Sequence, residues 1–580
     1  MTQQKKIFTP DNDGIFRDNK VDNLFLPLYF HETYSFNKSS NVKLLNSELK
    51  KSSLLSNNNN IINLTISISK KINNLIFEKY NQETLNIFID YCRIIVEVFL
   101  NRTDRLNYLI DCEQIYPKKN SYTFSFSNSP NLVGKEYSYI NKNLHWALLR
   151  MIAGAEDNII IKNKKTFNIK KILKLFKTKY LNKNLGNLSN EEIIFIPKLN
   201  RYKFLEENLK IQKNPDINLF FNSKKNNLIR KKISEIIFSE ILNKINKKNI
   251  YSNKGLKKYS DFMARIMPTF LVEDANNILL KCIKLIKKKQ SVKLITLGGI
   301  TSAHYASFFT STFRILNKKI FTLQHGGMIG YEQSMPMHYL SYMTYPSIFL
   351  SAGWTQYPSE YKKFKKYKLC KKIIPIANPY FSNLKYNKIC SLKENILLIP
   401  LSKFVYLDDK NFNNVTDLNI LNLRIKISKI INTCEKYFDK IIIVLRSENF
   451  AIDPISKLIN INNNKLVISN PDNYNASYYF KKTKCVVWDV ISTGFIETLS
   501  MGIPTFALTD DTRWSYDSKK TLKNLKDSKI VSNSEDELIT FIIKNIFDDI
   551  YKKNINVANL FKKNYALSEK NWLDQIKKII

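Results

Sequence analysis

The sequence lacks the side-chain arrangements that hold a metal ion or a disulfide framework. Its seven cysteines are odd in number, lie far apart and never form a Cys-x-x-Cys pair, which is typical of reduced thiols in a cytosol. Histidine is scarce, and His31, His145, His304 and His338 stand among apolar or aromatic neighbours without a second ligand at metal-binding spacing. We therefore expect these four histidines to be structural, with no metal and no cofactor.

We also expect no segment that exports the chain or spans a membrane. The N-terminal residues MTQQKKIFTPDNDG contain no apolar stretch of the kind found in signal peptides. The longest apolar region, residues 485–508, contains Asp489, Glu497 and two glycines, which argues against a lipid-crossing helix. We expect a cytoplasmic chain in which residues 485–508 form part of a buried α/β core.

Arginine is sparse although the formal net charge is +41. Nearly all the positive charge is lysine, spread from end to end among Asn, Ile, Tyr and Phe. A nucleic-acid binder is expected to concentrate Arg and Lys beside stacking aromatic residues, and no RNP, KH, zinc-finger or basic-zipper pattern is present. Nucleic acid is therefore not an expected partner, whereas a diffuse positive surface leaves open peripheral contact with the anionic inner membrane.

The length and the apolar patterning indicate several α/β domains. The chain has 580 residues, more than the roughly 250–300 that one hydrophobic core supports. We interpret residues 1–240 as an N-terminal, α-rich extension that also contains the start of an acceptor-side domain. Two Rossmann-like domains are predicted at 241–390 and 391–550, and a C-terminal helix at 551–580. The tail from Glu535 onward is helical in pattern, and we expect it to pack across both domains.

Short apolar runs alternate with helical stretches over the two predicted domains. Predicted strands occupy residues 292–299, 320–327, 347–354, 372–380, 395–404, 440–448, 465–470 and 485–490, and predicted helices occupy 227–245, 302–316 and about 418–437. This spacing is typical of parallel sheets with crossover helices. We expect two parallel sheets that face a cleft, with ligands beyond the carboxyl ends of their strands.

One candidate site follows the predicted strand at 485–490. Ser492, Thr493 and Gly494 begin a helix, and the free N–H groups at such a helix start suit a phosphate. Glu497 lies one helical turn further on, where it can accept a hydrogen bond from a ribose or sugar hydroxyl. The alternative is an ordinary helix cap, with Thr493 capping and Glu497 pairing back.

A second candidate site is LQHGGMIGYEQ at 323–333. Gln324 and His325 leave a strand end, and Gly326 and Gly327 let the backbone approach a ligand closely. Near neutral pH, His325 can act as an acid, as a base or as a hydrogen-bond donor to a phosphate. The alternative is a histidine held by hydrogen bonds in a tight turn.

Weaker candidates follow other strand ends. Arg446 has a guanidinium suited to a diphosphate or a carboxylate, with a surface ion pair as the alternative. Ser402 and Lys403 could contact a phosphate. Gly298 and Gly299 are interpreted as a turn.

The motifs resemble those of a known family when they are taken in order. LQHGGMIGY, then Arg446, then DVISTGFIETLSMGIPTFAL resemble a family of bacterial transferases encoded in surface-carbohydrate loci. That family is similar to GT-B enzymes that add Kdo or other nonulosonic acids to capsule and lipopolysaccharide, and more remotely to glycerophosphotransferases of teichoic-acid synthesis. The resemblance covers roughly residues 290–580, and Arg446 stands where capsule enzymes of this type often have a His-Pro pair.

The resemblance implies a GT-B fold and roles for the motif residues. Ser492, Thr493 and Glu497 would hold the donor nucleotide, and Gln324 with His325 would face the reaction centre from the opposite domain. The expected donor-binding set also includes the residues that were selected because they follow predicted strand ends. It consists of Gln324, Gly326, Gly327, Ser402, Lys403, Arg446, Ser492, Thr493, Gly494 and Glu497. The expected catalytic set is His325 with Glu332 or Asp489 as its acidic partner.

The expected activity is transfer of a sugar from a nucleotide-activated donor to a cell-surface polysaccharide or glycolipid. Kdo or another nonulosonic acid is the sugar that the resemblance implies. The alternatives are a glycerophosphotransferase or a nucleotide-sugar epimerase of GT-B shape, and a non-enzymatic basic protein bound to nucleic acid or membrane. The epimerase would need no separate acceptor, and the basic protein would need no cleft.

Overall fold

The computed structural model describes most of the chain after residue 190 and parts of the chain before it. The described residues are 24–26, 42–44, 51–111, 123–128, 158–163, 193–196, 205, 209, 211–212, 224–244, 253–288, 291–297, 306–327, 329–331, 347–359, 370, 372–382, 384, 394–401, 417–445, 455–460, 463–469, 476–509, 511, 514–548 and 555–580.

The first part of the described chain contains two long helices and two small parallel sheets. Its elements are β1 (Leu24–Leu26), β2 (Val42–Leu44), α1 (Lys51–Ile76), α2 (Asn86–Asp111), β3 (Thr123–Asn128) and β4 (Asn158–Asn163). Leu64, Ile68 and Ile72 recur every fourth residue on α1 and are almost fully buried. That apolar stripe packs α1 against α2, as the spacing of an amphipathic helix requires.

The first of the two large sheets has six parallel strands in the order β10-β9-β8-β7-β5-β6. Its part of the chain contains β5 (Ile193–Ile196), β6 (Ile211–Gln212), α3 (Asn227–Lys244), α4 (Asn253–Ile266), α5 (Ala275–Lys287), β7 (Lys293–Leu297), α6 (Ala306–Ile315), β8 (Ile320–Leu323), β9 (Ile348–Ser351), β10 (Lys372–Pro375) and α7 (Pro379–Ser382). The strands and helices predicted between 227 and 380 are confirmed. Because β5 and β6 precede residue 241, the first sheet begins within the predicted extension.

Helices α3 and α4 are held together by a buried arginine. Arg230 Nε and Glu273 Oε1 are 2.8 Å apart, and both side chains are 5% exposed. The guanidinium also donates from Nη1 to the carbonyl oxygens of Ala264 and Met267 at the end of α4. A planar guanidinium can serve a carboxylate and two carbonyls at once, so this side chain joins three segments.

The second large sheet also has six parallel strands, in the order β13-β12-β11-β14-β15-β16. Its elements are β11 (Ile396–Pro400), α8 (Asp417–Cys434), β12 (Lys440–Val444), α9 (Ile455–Leu458), β13 (Leu466–Ser469), β14 (Cys485–Trp488), α10 (Thr493–Ser500), β15 (Thr505–Leu508), α11 (Lys519–Asp527), β16 (Val531–Ser532) and α12 (Glu535–Asp548). This is the strand order of dinucleotide-binding domains, in which the order reverses between the first and fourth strands. Here the reversal lies between β11 and β14.

Two final helices return from the second domain to the first. Helix α13 (Ile555–Tyr565) packs against α10 and α11, whereas α14 (Trp572–Ile579) packs on the first sheet. Between them, the Leu567 N–H donates to Ala352 O, and the Asn378 N–H donates to Leu567 O. The expectation that the tail crosses both domains is therefore met.

The chain thus has a GT-B-like fold, with two Rossmann-like α/β domains and a helical layer on the N-terminal side. The loops after β8 and β10 of the first sheet contact α10, which follows β14 of the second. Since parallel strands present their carboxyl ends at one edge of a sheet, these contacts bring the two ligand-binding edges together. The candidate residues of the two domains therefore lie close together at this boundary.

Candidate functional site

Helix α10 is fixed to the strand before it by a tryptophan. The Trp488 indole N–H donates to Thr498 Oγ1 over 3.1 Å, and both side chains are buried. A Cβ atom added to Gly494 would lie 2.1 Å from Trp488 Cη2. Gly494, expected at the donor, therefore has a packing role, because only glycine lets the first turn of α10 lie against this ring.

Asp489 lies at the end of β14 in a buried ion pair. Arg424 Nη1 and Asp489 Oδ2 are 2.7 Å apart, and both side chains are 0% exposed. The sequence suggests Asp489 as an acidic partner of His325. In the structure, its ion pair with Arg424 anchors the turn between β14 and α10 to helix α8.

The start of α10 is not capped in the way that the alternative interpretation requires. Ser492 occupies the N-cap position with extended backbone and makes no capping hydrogen bond with its side chain. The hydroxyl of Thr493 instead accepts a hydrogen bond from the Gly327 N–H of the first domain, over 3.0 Å. At the boundary between the domains, the first-turn N–H groups of α10 thus receive no hydrogen bond from the side chain of their N-cap residue, Ser492.

Glu497 also reaches across this boundary. The Tyr380 hydroxyl, in α7 of the first domain, donates to Glu497 Oε1 over 2.7 Å. The Glu497 side chain is partly buried where the two domains meet. Tyr380 was not among the residues singled out in the sequence, because an aromatic residue after a strand carries no distinctive pattern.

The loop after β8 is held in place by Gln324, whose side chain is fully buried. Its Oε1 accepts hydrogen bonds from the Ala352 N–H and the Trp354 indole N–H, and its Nε2 donates to Gly326 O. Asn378 Nδ2 donates to the Gln324 carbonyl oxygen. The side-chain amide of Gln324 thus holds the loop after β8 against the residues that follow β9. The next residue, His325, is partly buried.

Gly326 and Gly327 lie directly against α10. Gly326 has a φ of +83°, and a Cβ there would be 3.1 Å from Thr493 Oγ1. A Cβ on Gly327 would be 2.2 Å from Ile496 Cδ1. The close approach that was expected for a ligand is therefore made, in this arrangement, by the facing helix.

An aromatic cluster adjoins this contact. The Tyr331 ring stacks on Trp514 with 4.6 Å between ring centroids, and it meets the Phe561 ring edge-on at 5.6 Å. The Tyr331 carbonyl oxygen accepts hydrogen bonds from the Ser515 N–H and the Ser518 hydroxyl. The loop after β8 is thus tied to the second domain at Tyr331 as well as at Gly327.

Several predicted residues lie outside the described part of the chain. These are Glu332, Ser402, Lys403 and Arg446, the predicted turn at Gly298 and Gly299, and the four histidines other than His325. Among the described residues, no group of three or more His, Cys, Asp or Glu side chains could hold a metal ion. No helix within those residues combines the length and apolar character needed to cross a membrane.

Comparison with known proteins identifies a family over almost the whole chain. The model of the LIC12162 family transferase matches residues 20–580. No curated protein sequence matches the chain significantly.

Similar solved structures include three proteins of low sequence identity. UDP-GlcNAc 2-epimerase from Neisseria meningitidis, bound to UDP-GlcNAc, is 11% identical over 79% of this chain and 99% of its own, with a TM-score of 0.35. The UDP-forming α,α-trehalose-phosphate synthase from Burkholderia xenovorans, in complex with glucose-6-phosphate, is 8% identical over 54% and 79%, with a TM-score of 0.31. UGT2 of Phytolacca americana, complexed with UDP-2fluoro-glucose and pterostilbene, is 10% identical over 79% and 99%, with a TM-score of 0.30.

Proposed function

This chain belongs to the LIC12162 family of transferases, and we propose that it is a glycosyltransferase that uses a nucleotide-activated sugar. The acceptor in this proposal is a cell-surface polysaccharide or glycolipid. Kdo or another nonulosonic acid is the proposed sugar, supported by the resemblance of the motifs to those of capsule and lipopolysaccharide enzymes.

The observation that carries the proposal is the contact between the two motifs. The Gly327 N–H and Thr493 Oγ1 are 3.0 Å apart, although 166 residues separate them in the chain. A transferase of this shape needs one domain to hold the donor and the other to present the acceptor at the same point. Two motifs from opposite domains that meet at one contact satisfy that requirement.

The strand order of the second domain supports placing the donor there. In doubly wound sheets the ligand lies where the strand order reverses, beyond the carboxyl ends of the strands. Here that point lies between β11 and β14, and α10 follows β14. We assign the donor phosphate to the first turn of α10 and a ribose or sugar hydroxyl to Glu497.

His325 is the proposed acid–base group on the opposite wall. An acceptor hydroxyl attacks the anomeric carbon of the sugar, the bond from that carbon to the donor phosphate breaks, and the nucleotide leaves with the bonding electrons. His325 takes the proton of the acceptor hydroxyl, or assists the departing phosphate by donating a hydrogen bond. Closure of the cleft around both substrates would exclude water during transfer.

Donor binding is the first test. We expect isothermal titration of the full chain with CMP-, UDP-, GDP- and CDP-linked sugars to show binding of one nucleotide class. Glu497→Ala should weaken that binding about tenfold or more, because a hydrogen bond to a charged group is lost. If none of the four classes binds, or if the variant binds as tightly as the wild type, the donor site is wrongly assigned.

Two further variants test whether Glu497 binds the donor or only joins the two domains, and whether His325 takes part in the transfer step. Tyr380→Phe removes the hydrogen bond to Glu497 but keeps the carboxylate, so donor binding should persist. A loss of donor affinity equal to that of Glu497→Ala would assign Glu497 to domain contact alone.

His325→Ala should bind the donor normally, whereas its transfer rate should fall about a hundredfold or more. Unchanged turnover would make His325 a turn residue.

The reaction products distinguish the alternatives. A glycosyltransferase releases free nucleotide only when an acceptor is present, whereas an epimerase changes the donor sugar without any acceptor. A glycerophosphotransferase would transfer glycerol phosphate from CDP-glycerol. A chain that binds anionic vesicles or nucleic acid but no nucleotide would support the non-enzymatic alternative.

A further inference from the structure

One exposed aromatic ring lies in the segment that follows β15. Tyr516 begins a single 3-10 turn, Tyr516–Ser518, between β15 and α11. The residue is 73% exposed, more than any other large hydrophobic residue among those that the structure describes. Trp514, two residues earlier, is buried and stacks on Tyr331. This segment therefore buries one aromatic ring and presents the other to solvent.

The turn under the exposed ring is fixed to the first domain by hydrogen bonds. The Ser515 N–H and the Ser518 hydroxyl each donate to the Tyr331 carbonyl oxygen over 2.8 Å. The Ser359 N–H, in the segment after β9, donates to Asp517 Oδ2 over 2.7 Å. Ser515 and Ser518 are fully buried. The position of the ring is thus set by both domains.

The turn lies at the ligand-binding edges of the two large sheets. It follows the carboxyl end of β15, and its partners in the first domain follow the carboxyl ends of β8 and β9. The proposed donor position is between β11 and β14, and β15 lies on the other side of β14. The exposed ring therefore stands beside the proposed donor position and not within it.

A lysine accompanies the ring. Lys519 Nζ is 5.7 Å from the Tyr516 ring centroid, which is within reach of a cation–π interaction. The face of an aromatic ring carries partial negative charge, and it stacks on the weakly positive C–H groups of a pyranose ring. An ammonium group beside it forms a charge-assisted hydrogen bond with a carboxylate. The pair therefore suits a sugar residue that bears a carboxylate.

We propose that Tyr516 and Lys519 bind an acidic sugar residue of the acceptor. The Tyr516 ring stacks on the pyranose ring, and Lys519 pairs with the carboxylate. This inference rests on the proposed function and adds the chemistry of the acceptor to it. In that function the first domain presents the acceptor, and the turn that carries the ring is bonded to two segments of the first domain.

The test compares Tyr516→Ala with Tyr478→Ala. Tyr478 is also an exposed tyrosine at a single 3-10 turn, and Lys482 Nζ is 6.0 Å from its ring centroid. It lies between β13 and β14, and β13 is the edge strand at the other side of the sheet from β15. Tyr478→Ala therefore controls for the loss of an exposed ring beside a lysine. Tyr516→Phe retains the ring, and Lys519→Met removes the charge.

The probes are short acidic oligosaccharides with neutral counterparts. Tetragalacturonate and a tetramer of N-acetylneuraminic acid carry carboxylates, whereas the methyl ester of tetragalacturonate and maltotetraose are neutral. Each is titrated calorimetrically into the full chain and its variants at physiological salt, since salt screens exposed charges. The CMP-, UDP-, GDP- and CDP-linked sugars are titrated in parallel, and thermal unfolding checks the fold of each variant.

We expect at least one acidic tetramer to bind the wild type more tightly than either neutral sugar. Tyr516→Ala should weaken that binding about fivefold to tenfold, because the stacking surface is lost. Lys519→Met should weaken it about threefold and leave the neutral sugars unaffected. Tyr516→Phe and Tyr478→Ala should bind as the wild type does. The affinity for a nucleotide-linked sugar and the melting temperature should be unchanged in all four variants.

The other outcomes separate this inference from the proposed function. If a nucleotide-linked sugar binds but no tetramer does, or if Tyr516→Ala binds the tetramers as tightly as the wild type, the inference is overturned and the proposed function stands. If Tyr516→Ala weakens the nucleotide-linked sugar, the ring belongs to the donor site and the inference is also overturned. Equal affinity for acidic and neutral sugars would overturn the role of Lys519.

Two results would count against the proposed function. If tetramer binding depends on Tyr516 but no nucleotide-linked sugar binds, the carbohydrate site stands and the proposed function fails. If neither kind of ligand binds the wild type, both are overturned.

Discussion

At the residue scale, the partners of a side chain decide whether it is available for chemistry. Asp489 and Gln324 both follow strand ends, where ligand-binding residues are common. The Asp489 carboxylate is paired with Arg424. The side-chain amide of Gln324 forms hydrogen bonds with Ala352, Trp354 and Gly326. In this arrangement both side chains position the loops that carry the site, while Thr493 and Glu497 stand at the domain boundary.

The ion pair between Arg424 and Asp489 allows a direct test of this anchoring role. Arg424→Met would remove the guanidinium that faces a fully buried carboxylate, so we expect the free energy of unfolding in urea to fall by about 3–5 kcal/mol. Lys429→Met, on the exposed side of the same helix, should leave stability nearly unchanged.

A second variant checks the cause of that loss. Adding Asp489→Leu to Arg424→Met removes the orphaned charge and should recover much of the stability. If the double variant is as unstable as Arg424→Met, the loss comes from the packing of the arginine side chain and not from the stranded carboxylate.

At the element scale, β14 and α10 behave as one unit. Trp488 at the end of the strand donates a hydrogen bond to Thr498 in the helix, and its ring packs against Gly494 at the helix start. The close packing explains why a glycine stands in the first turn of a helix, where it otherwise lowers helix stability. The position of the proposed phosphate site is therefore set by a tryptophan that needs no contact with the ligand.

Gly494→Ala tests the packing of this unit. The new Cβ would lie 2.1 Å from Trp488 Cη2, so the ring or the helix must move. We expect a loss of about 1–3 kcal/mol in the free energy of unfolding, measured by denaturant titration. In a Trp488→Leu background the same substitution should cost much less, and an equal cost in both backgrounds would exclude the ring as the cause.

At the scale of the whole molecule, the last residues of the chain complete the first domain. Trp572 and Ile576 in α14 share a hydrophobic core with Leu205, Leu323 and Leu350. The C-terminal segment therefore links the two domains by packing, in addition to the contacts at Gly327, Tyr331 and Tyr380.

Trp572→Ala tests this link. Removing a buried tryptophan should cost about 3–5 kcal/mol, and the loss should appear in the first domain although the residue lies near the C-terminus. Hydrogen exchange should accelerate in β8 and β9 more than in β12. Lys577→Ala, on the exposed side of the same helix, is the matched control, and equal acceleration in β8 and β12 would contradict the assignment.

The kinds and order of most elements in the two large domains follow from sequence pattern, because a buried parallel strand is a short run of adjacent apolar residues. Two predicted strands, 320–327 and 347–354, extend beyond the observed strands Ile320–Leu323 and Ile348–Ser351, because strand ends are the least certain part of such a prediction. Strand β6 was not predicted because it has only two residues, and a run that short carries no pattern.

Apolar patterning along the chain predicts both candidate motifs and shows that each directly follows a strand. The partners of these residues are set by tertiary packing: Asp489 pairs with Arg424 at a separation of 65 residues, Glu497 with Tyr380 at 117, and Thr493 with Gly327 at 166. Local apolar patterning arises from neighbouring residues and is readable along the chain. Contacts across two domains depend on how whole sheets and helices pack, and no local pattern specifies that packing.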